Sequence, residues 1–442
     1  MTSQTSPGAP TGHRLVPLTP ADAARMTRLI ESAFFEIAPG MTPEQMVATF
    51  AYYRSSGVET DDPAPVGRPA DAPRPLAGMY CAYDMQVTVP GPGAEHVRVP
   101  MSGLSWVSVD PDQRRKGILR SLMQHHLHGL HDDGAAAVAG LWAAEVGIYG
   151  RFGYGTASHN MMLDLGRGTE LTAPPQLVEE ASRVRTHMVP ADSEEATAAL
   201  HRVHLAGAVR QLGAVTRGED IRREWFRDAP KARGAKEPLH VLFATRDGEP
   251  TAYATMRRES DWSDHDSPQG KVRVGEISAT DTASLFALVK RLVDFDLTGT
   301  VSLRGRGVDD PVLWWAGGPR STAAKVTDAL WLRLVDVDRA LSARGYAAPV
   351  DLVLDVSDAT CPWNSRRWRL TVGADGTGTC TPTEDPADLS LPVEVLGAAY
   401  AGGRSVASQA AAGWVRELTP GAVTALSRAM RGDSEPLGTI GF

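Results

Sequence analysis

The stretch Arg114-Arg115-Lys116-Gly117 sets three cations and a glycine directly before an apolar pattern of helical spacing, Ile118, Leu119, Leu122, Met123, Leu127 and Leu130. A helix starting near Gly117 aims unbonded backbone N–H groups, and the positive end of its dipole, at the preceding loop. Glycine lets that backbone come close to a phosphate, and the cations add charge. The chemistry this offers is the holding of an anion, although the same residues also suit an ordinary basic strand–helix turn. Downstream, Trp142-Ala143-Ala144-Glu145 leads into Gly147-Ile148-Tyr149-Gly150-Arg151-Phe152-Gly153-Tyr154-Gly155. Tyr149 in that turn is either a proton donor or a packed aromatic with its hydroxyl on backbone.

The elements that would position these residues follow from pattern. Trp106, Val107 and Val109 are strand-like, and Pro111 ends the strand. The helix comes next, then a strand near 138–143. Ahead of them, His13–Leu18 predicts a strand. A helix to about Phe35 follows, with Thr19 as cap and Pro20 at its first position. A second helix is predicted over Thr42–Arg54, with Thr42 as cap. Strands are predicted at 76–83, 84–89 and 97–109, broken by Pro90-Gly91-Pro92-Gly93.

A second block repeats this order with degraded detail. Arg183–Val189, then Pro190-Ala191-Asp192 and a helix, echo Leu15-Val16, Pro20-Ala21-Asp22 and the first helix. His240–Thr245 and Thr251–Arg257 flank Asp247-Gly248, a strong hairpin signal. Lys271–Ala279 is a strand and Ala283–Asp296 a helix. Their junction, Ser278-Ala279-Thr280-Asp281-Thr282, lacks the cationic glycine motif, and Asp281 would repel phosphate. Trp314 and Trp315 follow in a linker expected to dock on a neighbour. A third block, from about Ala324, predicts a short helix at Val335–Arg344, strands at 350–356, 366–373 and 377–381, and helices near 393–400, 404–410 and 419–431.

Composition narrows the class. At 442 residues, 42% apolar and 22% charged, the chain is a multidomain soluble protein by these measures. Its net charge of -8 argues against a nucleic-acid partner and mildly favours small cationic ones. The run Arg366, Arg367, Arg369 is short and is expected at an exposed strand edge. Cys81, Cys361 and Cys380 make neither a metal motif nor a disulfide framework, which fits a reducing cytoplasm. The proline-rich first dozen residues are expected to form a tail, and no apolar run reaches the ~20 residues a membrane span needs. His125, His128 and His131 share a helical face, but no carboxylate or cysteine motif completes a metal site.

Taken together, RRKGIL and GIYGRFGYG strongly resemble the Gcn5-related N-acetyltransferases, and within them the Eis-like (enhanced intracellular survival) branch. The resemblance is tightest over residues 106–155 and extends loosely to Phe442. The family loop runs Arg/Gln-x-x-Gly-x-Gly/Ala, and this chain departs from it with Leu119. The resemblance implies an α+β chain of tandem acetyltransferase folds, the second degenerate, followed by a sterol-carrier-like α+β domain. The corresponding divisions are a tail at 1–12, an acetyl-CoA-binding domain at 13–167, a degenerate domain at 168–318 and a C-terminal domain at 319–442.

It further implies acetyl-CoA as donor, no metal, and a primary-amine acceptor of aminoglycoside-like or polyamine type. The alternatives are a protein lysine as acceptor or, in a different class, a lipid or small-ligand carrier with a vestigial acetyltransferase. By resemblance the cofactor is held by Val107, Ser108, Val109, Arg114, Arg115, Lys116, Gly117, Ile118, Leu119, Arg120, Ala144 and Glu145. Alanine at 144 replaces the family's small polar residue. Tyr149 is the family's general acid, the carboxylate of Phe442 receives the amine proton, and Glu36 faces the acceptor. Gly441 is neutral where some relatives carry an acid. The resemblance also implies a cytoplasmic homohexamer.

Overall fold

The computed structural model describes residues 8–35, 41–61, 73–93, 95–219 and 221–442. The strands of its first half are β1 (His13–Pro17), β2 (Ser56–Thr60), β3 (Leu76–Pro90), β4 (His96–Val109), β5 (Val138–Trp142), β6 (Gly155–Thr156), β7 (His159–Gly166), β8 (Arg185–Pro190) and β9 (Val215–Thr216). Then come β10 (His240–Arg246), β11 (Glu249–Glu259), β12 (Gly270–Ala279), β13 (Thr298–Arg306), β14 (Lys325–Asp328) and β15 (Leu330–Leu334).

The first sheet runs β1-β2-β3-β4-β5-β15-β6, with β9 alongside β3. β4 and β5 are parallel, and the other pairs are antiparallel. β3 is buried along nearly its whole length, as a strand covered on both faces must be. The two strands expected at 76–83 and 84–89 are this one strand, because exposed Asp84 and Gln86 alternate with buried Met85 and Val87 and nothing breaks the pleat. The helix Ile118–Asp133 buries Ile118, Leu122, Met123, Leu127 and Leu130 on one face of the sheet. The helix Ala23–Phe34 packs on the other. Of the helix expected over Thr42–Arg54 only Pro43–Met46 is α-helical. Thr42 caps it as expected, but the Ser55 hydroxyl takes the Ala51 carbonyl and the chain tightens into a separate turn at Tyr52–Arg54.

The second sheet repeats the plan: β8-β10-β11-β12-β13-β7-β14, with β12·β13 its parallel pair. The two sheets exchange their last strands. After β6 the chain crosses to place β7 beside β13, and after β14 it returns to place β15 between β5 and β6. These crossings fall at residues 157–158 and 329. β15, Leu-Trp-Leu-Arg-Leu, is buried at every position and so lacks the alternation that marks a strand in sequence.

A third sheet is built from β16 (Val350–Ser357), β17 (Arg367–Val372), β18 (Gly378–Pro382), β19 (Leu389–Pro392) and β20 (Arg416–Glu417), in the order β18-β17-β16-β19-β20. Its helices Val393–Ala399 and Ala422–Met430 share one core with the first sheet. The whole is the α+β architecture expected. The arginine run does not form a sheet edge: β17 is an interior strand, and Arg369 on its exposed face is paired with Asp351 at 2.5 Å and Asp385 at 2.8 Å. Trp315 docks edge-on to Phe286 at 5.0 Å, whereas Trp314 stays exposed.

Candidate active site

The site begins where β4 and β5 part. Their parallel pairing covers only Met101↔Val138, Ser102↔Ala139 and Gly103↔Gly140. Beyond Gly103, β4 keeps β3 as partner while β5 turns toward β15, so a gap opens between them. Glycine is required at the apex. A Cβ on Gly103 would stand 2.9 Å from the Phe442 ring, and one on Gly140 would strike Met101 and Leu332.

Just past the apex β4 bulges. Met79 faces Ser108 but Cys81 faces Ser105, so Tyr80 stands opposite both Trp106 and Val107. Trp106 takes a left-handed φ of 52°. The bulge sends the Trp106 ring to Phe50 at 5.6 Å and Phe34 at 6.0 Å, on the side of the helix Ala23–Phe34. Val107 and Val109 pack on the opposite side, toward the helix Ile118–Asp133. Ser108 is buried, and its hydroxyl donates to the Trp106 carbonyl at 3.0 Å.

The cationic loop follows. Asp110 fixes its start by accepting from Asp112 N, and its carbonyl accepts from Gln113 N, both at 2.9 Å. Arg115 (φ 64°) and Gly117 (φ 84°) take left-handed backbone, and the helix begins at Ile118 without any side-chain cap. Its first N–H groups face the loop. Ile118 anchors this end, packing so closely over Gly78 that a Cβ there would lie 2.6 Å from it. Arg114, Arg115, Lys116, Gly117 and Arg120 are exposed, and Leu119 is half-buried. Among the described residues no carboxylate pairs with Arg114, Arg115 or Arg120. Lys116 Nζ donates to Gln113 Oε1 at 2.8 Å.

Across the gap, Ala144 and Glu145 are exposed between β5 and the helical turn Val146–Tyr149. Tyr149 is 8% exposed and lies edge-on to Tyr154, with ring centroids 6.2 Å apart. Burial, and then the Glu145 charge, push its phenol pKa up. No described residue bonds its hydroxyl. Tyr149 belongs to the core on the side of the helix Ile118–Asp133.

The C-terminal segment arrives from the other side. Leu437 N donates to Leu212 O at 2.7 Å and Gly438 N to Ser158 Oγ at 3.3 Å. The Thr439 hydroxyl takes both the N–H and the carbonyl of Val215 at 3.1 Å. Ile440 is buried, Gly441 lies against Trp142, and the Phe442 ring seats on Gly103 at the apex. Phe442 packs with the core of the opposite face, so Tyr149 and Phe442 flank the gap from its two sides.

Sequence reasoning missed an aromatic wall on the Phe442 side. Tyr83, the cross-strand partner of Gly103, stands 6.3 Å edge-on to Trp225, which arrives from the second fold. Trp225 Nε1 donates to Glu276 at 3.2 Å, and Glu276 is held by a bidentate Arg217. No spacing signal joins residues 83 and 225; only the packing of the two sheets does. Glu36 lies outside the described residues. The histidine face proves to be a docking surface. His128 meets the Thr360 carbonyl at 3.1 Å, and His131 meets Asp336 at 2.5 Å while stacking on Trp363. Among the described residues no group of three His, Cys, Asp or Glu could hold a metal, and no helix is long and apolar enough to cross a membrane.

Known proteins share this architecture. Acetyltransferase (GNAT) domain models match residues 69–157 and, separately, 213–339, and a sterol carrier protein domain model matches 337–437. An uncharacterized N-acetyltransferase of Streptomyces avermitilis is 39% identical over 367 residues, 83% of this chain and 86% of the relative. The N-acetyltransferase Eis of Mycobacterium tuberculosis is 31% identical over 368 residues, 81% of this chain and 84% of the relative. The crystal structure of Eis1 from Mycobacterium abscessus superposes with a TM-score of 0.77 at 26% identity, covering 98% of this chain and all of the other.

Proposed function

The chain belongs to the Eis-like family of Gcn5-related N-acetyltransferases, enzymes that draw on acetyl-CoA, and we propose that it transfers the acetyl group to the primary amine of a small cationic acceptor. One observation carries this reading: an uncapped cationic helix N-terminus and a parted strand pair, with Tyr149 and Phe442 on opposite sides of the gap.

The residues fit the cofactor. Arg114, Arg115 and Arg120 offer exposed cations that pair with no carboxylate among the described residues, and the uncapped helix start after Gly117 offers backbone N–H groups suited to a pyrophosphate. Val107–Val109, freed from β5, can bond a pantetheine arm, and Ala144 and Glu145 face it across the gap. Among the described residues a Cβ on Gly117 would meet only Pro10, at 3.7 Å.

In this reading an uncharged amine attacks the thioester carbonyl, a C–N bond forms and the C–S bond breaks. In this reading backbone N–H groups at the β4 bulge stabilise the developing oxyanion. The Tyr149 phenol protonates the departing thiolate and recovers its proton from water. Its raised pKa keeps it protonated at neutral pH. The Phe442 carboxylate first takes a proton from the bound ammonium, which frees the amine to attack, and the second nitrogen proton leaves to water once the C–N bond has formed. The half-buried rings of Trp106 and Trp225 beside a carboxylate suit a cationic acceptor, which favours polyamines and aminoglycoside-like amines over an extended peptide.

A thiol-release assay across polyamines, aminoglycosides and lysine peptides tests this. Turnover on lysine peptides alone would overturn the acceptor class. The assembly proposed with it is a homohexamer working in a reducing compartment, where its three buried free cysteines stay inert. Sedimentation that finds a monomer at micromolar concentration would overturn the assembly.

A further inference from the structure

The third unit supplies the chain terminus, but it also grips the turn that bears Tyr149. We propose that the buried Arg333–Asp358 pair is a clamp that sets the position of Tyr149, so that the third unit tunes proton delivery. This rests on reading Tyr149 as the acid.

Tyr149 makes no side-chain hydrogen bond to the described residues, so its placement depends on the packing of its ring and on the backbone from 149 to 155. Within the turn, Gly153 N donates to Gly150 O at 2.9 Å and Tyr154 N to Tyr149 O at 3.3 Å. The external grip comes from Arg333 on β15. Its Nε donates to the Phe152 carbonyl at 3.2 Å, and its Nη2 donates to both oxygens of Asp358, at 2.8 and 2.7 Å. A further N–H reaches the Leu334 carbonyl. Asp358 is itself fixed by Thr360 N, Cys361 N and Asn364 Nδ2. Asn364 in turn accepts from Val337 N at 3.1 Å.

The side chains of Arg333 and Asp358 are 0% and 1% exposed. A charge pair this deep is poor at adding net stability, because desolvation offsets its attraction; what it can do well is fix one geometry. The turn is pressed from a second direction. Gly153 (φ 82°) abuts Val393, where a Cβ would stand 2.7 Å from the valine, and Gly155 abuts Glu394 and Ala398. These contacts come from the helix Val393–Ala399 of the third unit. The turn is thus held between the guanidinium and that helix. Asp358 touches neither donor nor acceptor, so it is a positioning residue.

A purely structural role would lower turnover whether or not Tyr149 is present. The test is therefore a double-mutant cycle of Asp358→Asn with Tyr149→Phe in the full chain, with kcat and the acetyl-CoA KM measured on the best amine. Asp358→Asn is expected to cut kcat about tenfold, with KM changed less than about twofold. In the Tyr149→Phe background it should cost less than about twofold further. It should also shift the basic limb of the kcat–pH profile. An equal loss in both backgrounds, or unchanged kcat in the wild type, overturns the clamp. Wild-type kcat in Tyr149→Phe alone overturns the acid reading instead. Should Asp358→Asn fail to fold, Val393→Ala takes its place, since it loosens the same turn without uncovering a buried charge. The same non-additivity is expected there on a smaller scale, and additivity overturns the proposal.

Discussion

The two acetyltransferase folds share strand order, a parallel pair that parts midway, and a bulge at the parting. In the second fold Thr255 stands opposite both Gly275 and Glu276, as Tyr80 stands opposite Trp106 and Val107 in the first. They differ at the strand–helix junction. The first runs through Asp110–Gly117 and leaves the helix N-terminus uncapped. The second has only Thr280 and Asp281 before Thr282, and the Asp281 carboxylate bonds Ser284 N at 2.8 Å and the Ser284 hydroxyl at 2.9 Å. Asp281 therefore does more than repel a phosphate: it occupies the place one would take. The gaps differ likewise. Beside β12 and β13 lies a cavity of ≈ 90 Å³ lined by His204, Arg306, Leu437 and Thr439, whereas the first gap receives Phe442. A single C-terminal strap crosses both gaps. A fold can keep its backbone plan and lose its cofactor site through one self-capping carboxylate and a shortened loop.

The largest effects should come from the pair that only the first gap possesses. Deleting Phe442, or appending a C-terminal tag, should lower kcat by about 10²-fold or more, the scale of general acid–base contributions, with acetyl-CoA affinity unchanged by calorimetry. Tyr149→Phe should cost about 10²-fold by losing only the hydroxyl. The raised pKa gives the pH dependence its sign. A phenol held above its ordinary ~10 keeps its proton longer, so wild-type kcat should fall only at more alkaline pH. Wild-type turnover in both variants would leave water as the proton carrier and erase the functional contrast between the gaps.

Next in size is the loop itself. Arg114→Ala with Lys116→Ala should weaken acetyl-CoA binding about tenfold, since exposed cations are partly screened. The affinity of the variant should also fall less steeply with added salt. Calorimetry showing unchanged affinity and salt dependence would remove the pyrophosphate assignment.

How much of this was legible beforehand follows from range in sequence. The loop, its helix and the Tyr149 turn are local patterns in which composition and period carry the signal, and the structure has them where the residues put them. The Asp281 junction was legible as a loss, but its capping bonds needed coordinates. β15 was hidden because burial on every side removes alternation. The contact of Tyr83 with Trp225 and the Arg333–Asp358 clamp depend on strand exchange and on docking of the third unit, which no local period encodes.

The smallest predicted effect isolates the capping carboxylate. Asp281→Ala removes an N-cap and a half-exposed contact with Arg246 at 3.2 Å. The cap is worth about 1 kcal/mol and the exposed pair little more. Amide exchange in the first turn of the helix Thr282–Val293 should therefore quicken about fivefold, the equivalent of ~1 kcal/mol, with global unfolding barely moved. Uncapping should not create a second cofactor site. The freed N–H groups would match those of the first helix, but the junction would still lack its cations and its left-handed turn. Acetyl-CoA stoichiometry should stay that of the parent. A second binding event after this one substitution would mean that the carboxylate alone silenced the second fold, and that loop length and charge were incidental.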